Sequence, residues 1–89
     1  MAVHLVVVDV MLKSEILDPA GQAVLSALPS LGLPPAQTLR IGKHIELSLE
    51  AEDPAAALEL ATKMAEVLLA NPVIEDFHVR LADGGSAGS

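Results

Sequence analysis

The sequence predicts an α+β domain of order βαβαβ: a small antiparallel sheet with two helices on one face and a long, bent middle strand. Three observations carry this. Residues 37–51 place Leu39, Ile41, Ile45, Leu47, Leu49 and Ala51 at odd positions. Thr38, Arg40, His44, Glu46, Ser48 and Glu50 fill the even ones, the period of two that marks a half-buried strand. Two further segments open on the same pair, Asp18-Pro19 and Asp53-Pro54, and continue with apolar residues at helical spacing. Finally, 52% of the residues are apolar but Phe77 is the only aromatic, so the core must be aliphatic and some apolar surface should lie between subunits.

Residues 2–13 read as the first strand. Val6, Val8, Val10 and Leu12 lie on one face with His4, and Val3, Leu5, Val7 and Met11 lie on the other with Asp9. A strand apolar on both sides should be central and covered twice, once by its own helices and once by a partner subunit.

The first helix should begin at Asp18, whose carboxylate can cap the first turn, with Pro19 at the first helical position. Ala20, Val24, Ala27, Leu28 and Leu31 form its apolar stripe. Pro29 should kink or unwind the last turn, and Gly32 can supply the left-handed residue that ends it. Leu33, Pro34 and Pro35 read as an extended connector.

The phase of residues 37–51 survives Gly42 and Lys43 without a slip, which rules out a two-residue hairpin turn there. A three-residue loop over residues 42–44 and a single strand bent at Gly42 both fit; the bent strand is preferred. Such a strand would run roughly 50 Å at about 3.3 Å per residue. It would overhang a body roughly 30 Å across and require a second chain to cover it. A dimer or larger assembly is therefore expected.

The second helix should follow Asp53-Pro54 with Ala57, Leu60, Ala61, Met64 and Leu68 buried, and should stop at Asn71-Pro72. In the last strand Val73, Phe77, Val79 and Leu81 face inward, Ile74, Asp76, His78 and Arg80 face outward, and Glu75 is an exception on the inner phase. Residues 1–81 are expected to form one domain and residues 82–89 a flexible Gly/Ser/Ala tail.

A net charge of −7 argues against nucleic acid as a partner. The chain has no cysteine, no apolar run approaching a membrane span and no signal-peptide pattern, and it reads as soluble and cytoplasmic. His4, His44 and His78 are too scattered for metal-ligand spacing. Asp9 could be a general acid or base with a raised pKa, but pairing with Lys13, Lys43 or Arg40 of the same or another chain is favoured. No phosphate loop and no serine in a nucleophilic pattern is found, so no catalytic residue is assigned. Arg40, Gly42 and Lys43 remain as candidate functional residues, to which the family resemblance given next would assign the docking of a partner; the simpler reading is a bend at Gly42 and a solvated lysine.

Three blocks resemble a known family. They are Leu17-Asp18-Pro19 with Gly21, Arg40 with Gly42-Lys43, and Ala70-Asn71-Pro72-Val73-Ile74-Glu75. Together they are similar to the small-subunit (PurS) family of phosphoribosylformylglycinamidine synthase, and the likeness runs from residue 3 to residue 81. The resemblance implies a dimerising or tetramerising βαβαβ subunit, related to ferredoxin-like folds, that joins a glutaminase and a synthetase in purine biosynthesis. It implies that catalysis, ATP and magnesium belong to those partners, with no cofactor on this chain. The alternative is a dimeric ferredoxin-like module that binds a small regulatory molecule.

Overall fold

The computed structural model of the chain describes residues 2–82. Its elements are β1 (Ala2–Leu12), α1 (Pro19–Ser30), β2 (Lys43–Ala51), α2 (Pro54–Met64), a π-helical turn (Ala65–Leu69) and β3 (Glu75–Leu81). The three strands form one sheet in the order β2-β1-β3, antiparallel throughout. The strand apolar on both faces is therefore the central one, as its composition required.

Register divides the residues between two faces. Val6, Val8 and Val10 pair with Leu47, Ile45 and Lys43 on one side and with Leu81, Val79 and Phe77 on the other. The three valines are fully buried and form the core with Ala51, Ala57, Ala61, Ala65, Ala70 and Leu81. Fully burying one such side chain contributes about 1.5–3 kcal/mol. The opposite face carries Val3, Leu5, Val7, Asp9 and Met11. Val7 is covered from both sides by its cross-strand neighbours Glu46 and Arg80, whereas Val3 and Leu5 are exposed.

Only α2 lies along the sheet, touching all three strands. Its buried residues are Ala57 and Ala61, continued by Ala65 in the π-helical turn, whereas Leu60, Met64 and Leu68 are exposed. Ala57 and Ala61 are thus buried as expected, and Leu60, Met64 and Leu68 are not. Alanines fill the centre of the contact, flanked by the half-buried Leu58 and Leu69. The widened turn closes with Ala70 N–H on the Ala65 carbonyl at 2.9 Å, and Val67 and Leu68 face outward.

Helix α1 buries only Gly21. It is anchored at its first turn and then leaves the sheet, and the chain has a radius of gyration of 16.2 Å and extents of 52 × 27 × 18 Å. A compact chain of this length would measure about 12 Å. Pro29 is accommodated in the last helical turn. The helix ends at Leu31, whose N–H reaches only three residues back, to Leu28, and Gly32 follows with φ +79°. That left-handed residue costs a glycine nothing.

The middle strand is regular only from Lys43, and residues 37–42 form an irregular lead-in with no ladder partner. The hairpin over residues 42–44 does not occur. The ladder begins at Lys43 because the chain ahead of it runs tight against β1. A side chain at position 42 would collide with the Val10 carbonyl and the Met11 Sδ. At the other end, Ala82 N–H donates to the Leu5 carbonyl at 3.0 Å, so sheet bonding continues one residue past Leu81. The rest of the expected tail, residues 83–89, lies outside the described residues.

Candidate functional site

The three sequence blocks singled out above converge at one end of the sheet. Asp18 caps α1 by accepting from Gly21 N–H at 3.0 Å through one oxygen. Its other oxygen accepts from Ile41 N–H at 2.9 Å. One carboxylate therefore fixes both the start of α1 and the lead-in to β2. Gly21 permits this approach, since a Cβ there would stand 2.8 Å from the Leu39 carbonyl. The two backbone amides, Gly21 first and then Ile41, hold the Asp18 carboxyl below the usual carboxylate range, with the Arg40 charge assisting.

Arg40 donates through its guanidinium to the Leu12 carbonyl, the last residue of β1. Gly42 passes against Val10 and Met11. Lys43 Nζ donates to the Leu69 carbonyl at 3.1 Å, at the end of the π-helical turn, and stands 3.9 Å from Glu75 Oε2. The other Glu75 oxygen accepts from Asn71 N–H at 2.7 Å, and Asn71 Oδ1 accepts from Val73 N–H at 3.1 Å. The anomalous inward position of Glu75 is thereby accounted for: it closes the turn into β3 and faces Lys43. The three candidate residues are thus brought together, and each has an intramolecular role. Arg40 and Lys43 remain exposed at the surface. Sequence reasoning took Asp18 only for a helix cap. Its second bond could not be anticipated, because Ile41 approaches it from another element.

A second cluster spans the open face of the sheet. Asp9 does not pair with Lys13, Lys43 or Arg40. It accepts from Arg80 Nε at 3.2 Å and lies 3.0 Å from His44 Nδ1. The reason is register: His44 and His78 stand opposite Asp9 on the two flanking strands, with Arg80 two residues beyond His78. His44 and Arg80 hold the Asp9 carboxyl below its ordinary value, the reverse of the raised pKa a general acid would need, although partial burial opposes them. Asp9 and Glu46 in turn raise the pKa of His44. Lys13 instead pairs with Asp76 at 3.4 Å.

Among the described residues no three His, Cys, Asp or Glu side chains are grouped to hold a metal ion, and no helix is long and apolar enough to cross a membrane. The serine and threonine hydroxyls that donate hydrogen bonds, Ser14, Ser30 and Thr62, do so to Glu15 and to backbone carbonyls. The geometry is that of a braced surface junction, suited to presenting a fixed shape.

Comparison with known proteins agrees with that geometry. The family model described as PurS, phosphoribosylformylglycinamidine (FGAM) synthase, matches residues 5–83. The PurS subunit of phosphoribosylformylglycinamidine synthase from Synechocystis is 50% identical over 68 residues, 76% of this chain and 68% of that one. Its counterpart from Mycobacterium leprae is 51% identical over 73 residues, 82% of this chain and 89% of that one. Among solved structures, PurLQS from Thermotoga maritima contains a chain that superposes with a TM-score of 0.84 at 37% identity, covering 91% of this chain and 99% of that one. With its three-stranded sheet, two helices and matching sequence blocks, the chain belongs to the PurS family of phosphoribosylformylglycinamidine synthase subunits.

Proposed function

We propose that this chain is the non-catalytic assembly subunit of its synthase, bridging a glutaminase and a synthetase and aiding transfer of ammonia between them. The observation that carries this reading is its near-complete superposition on a chain of the Thermotoga maritima PurLQS structure. In the reaction, formylglycinamide ribonucleotide becomes its amidine at the expense of glutamine and ATP. The catalytic residues, with ATP and magnesium, belong to the partner subunits, and the complex works in the cytoplasm. The exposed Val3 and Leu5 on the open sheet face support self-association as a dimer or tetramer. The unit that assembles is residues 1–81, with residues 82–89 as an appendage.

Docking is assigned to residues 40–43. Arg40 and Lys43 brace the segment from within and leave charged surface beside it, and Gly42 keeps it flat against β1. The test is the Arg40→Ala, Lys43→Ala double variant in the reconstituted complex. It should stay folded by circular dichroism, weaken three-subunit assembly, and lower glutamine-dependent turnover more than turnover with free ammonia. Unchanged assembly together with an unchanged activity ratio overturns the docking assignment. Failure of the unaltered chain to recover glutaminase and synthetase in a pull-down overturns the assembly role itself.

A further inference from the structure

His44 sits near the start of β2 with both ring nitrogens on carboxylates. Nδ1 is 3.0 Å from Asp9 Oδ1 and Nε2 is 3.1 Å from Glu46 Oε2. A neutral imidazole has one N–H, and its other nitrogen offers a lone pair. A lone pair held 3 Å from an ionised carboxylate is repelled. Both contacts are attractive at once only when the ring is an imidazolium.

The surroundings do not supply the proton by another route. Asp9, the β1 group facing the ring, has its second oxygen on Arg80 Nε of β3, which keeps it ionised. His78 of β3 stands on the far side of Asp9 in the register. On β2 itself the facing group is Glu46, largely exposed, while the neighbouring Lys43 ammonium is directed to Leu69 and Glu75. The Arg40 guanidinium is taken by the Leu12 carbonyl. Helix α2 packs on the opposite face of the sheet. Among the described residues, two carboxylates and no competing cation therefore face the ring directly.

We propose that His44 is a protonation switch at the start of β2: charged, it clamps the edge strand to β1 through Asp9 and holds Glu46, and neutral, it must release one of the two. The bond to Asp9 is the one retained. Asp9 is less exposed than Glu46, at 37% against 63%, and Arg80 keeps it in place. Glu46 then turns to solvent, adding an unpaired negative charge two residues after His44. Because the folded-state pKa of His44 is raised, the stabilisation is fully present below the ordinary histidine value of about 6.5 and is lost as pH rises through the folded value. The switch therefore opens on the alkaline side of about pH 6.5 and loosens the strand that directly follows the segment 40–43.

The experiment is a ¹⁵N NMR titration of the full chain, with amide exchange measured in parallel. Both ring nitrogens of His44 should carry protons at pH 6.5, with a titration midpoint above that of a free histidine peptide. Glu46→Gln and Asp9→Asn should each lower the midpoint. Amide protection at residues 43–46 should fall by up to about fivefold through the midpoint, the scale of an exposed ion pair. In His44→Gln that fall should vanish. A midpoint at or below the peptide value overturns the switch, and so does protection that is indifferent to the titration. Glu46→Gln alters only an exposed side chain, so it remains a folded probe if the other variants fail to fold.

Discussion

Helices α1 and α2 begin identically and end in different surroundings. Each has an aspartate cap that accepts from the N–H three residues on, Asp18 from Gly21 and Asp53 from Ala56 at 2.7 Å, and each has proline at the first position. Beyond the first turn they diverge. Helix α2 sets Ala57, Ala61 and, one turn on, Ala65 against the valines of β1 with no exposed surface. Helix α1 carries larger residues, Val24, Leu25 and Leu28, and buries none of them. A capping motif says where a helix starts and nothing about where it will lie. What seats α2 is the row of small side chains that lets its backbone come close to a flat valine surface.

The widest contrast should come from filling the α2 contact. Ala61→Leu adds a branched side chain where no space remains, and should cost about 1–3 kcal/mol in denaturant unfolding. An equal loss from Ala27→Leu in α1 would show that α1 is seated as tightly as α2.

Removing the caps sharpens the same comparison. Asp53→Ala and Asp18→Ala should each cost about 0.5–2 kcal/mol, the usual value of an N-cap. The consequences should differ in place. Without Asp53, α2 remains pressed on the sheet. Without Asp18, both the α1 first turn and Ile41 lose a partner, so protease cleavage should appear within residues 19–41 before the sheet melts.

Acid should reproduce the second effect without mutation. The Asp18 pKa is lowered on folding, so its contribution is present above the ordinary aspartate value of 3.8 and is lost as pH falls through the depressed one. Amide exchange at Gly21 and Ile41 should accelerate below about pH 4, as the Asp18 carboxylate that binds both takes up a proton. Smallest of all should be Val24→Ala on the exposed side of α1, within about 0.5 kcal/mol for the isolated chain. A larger loss that depends on protein concentration would show a second copy covering α1.

Much of this was legible in the sequence because it is local. The alternation of residues 45–51, both Asp-Pro starts, the left-handed Gly32 and the inward anomaly of Glu75 each depend on a few neighbouring residues. The family blocks were legible too, although their convergence was not. Partners separated along the chain were misjudged. Charge alone points Asp9 to Lys13, Lys43 or Arg40, but within the chain the order β2-β1-β3 sets His44 and Arg80 beside it. Of the α2 stripe that periodicity predicts, Ala57 and Ala61 are buried, but Leu60, Met64 and Leu68 are exposed, because close approach to the sheet favours the smallest residues. The lead-in before Lys43 keeps the strand phase without being strand, because its tight passage against β1 is invisible to periodicity.

The strand order also bears on how the chain is made. Of the three described strands, the central one is synthesised before both of its neighbours, and β3 follows β2. Val6 must wait for Leu81, near the far end of the sequence, before its second edge is paired. Until then a strand apolar on both faces stands with one open hydrogen-bonding edge, the condition that favours pairing with other chains. Contacts so distant in sequence also slow folding, because the loop must close before the pairing repays it. The nascent chain should therefore be prone to association until β3 has emerged, and expression at high level should yield inclusion bodies more readily than the stability of the finished fold would suggest.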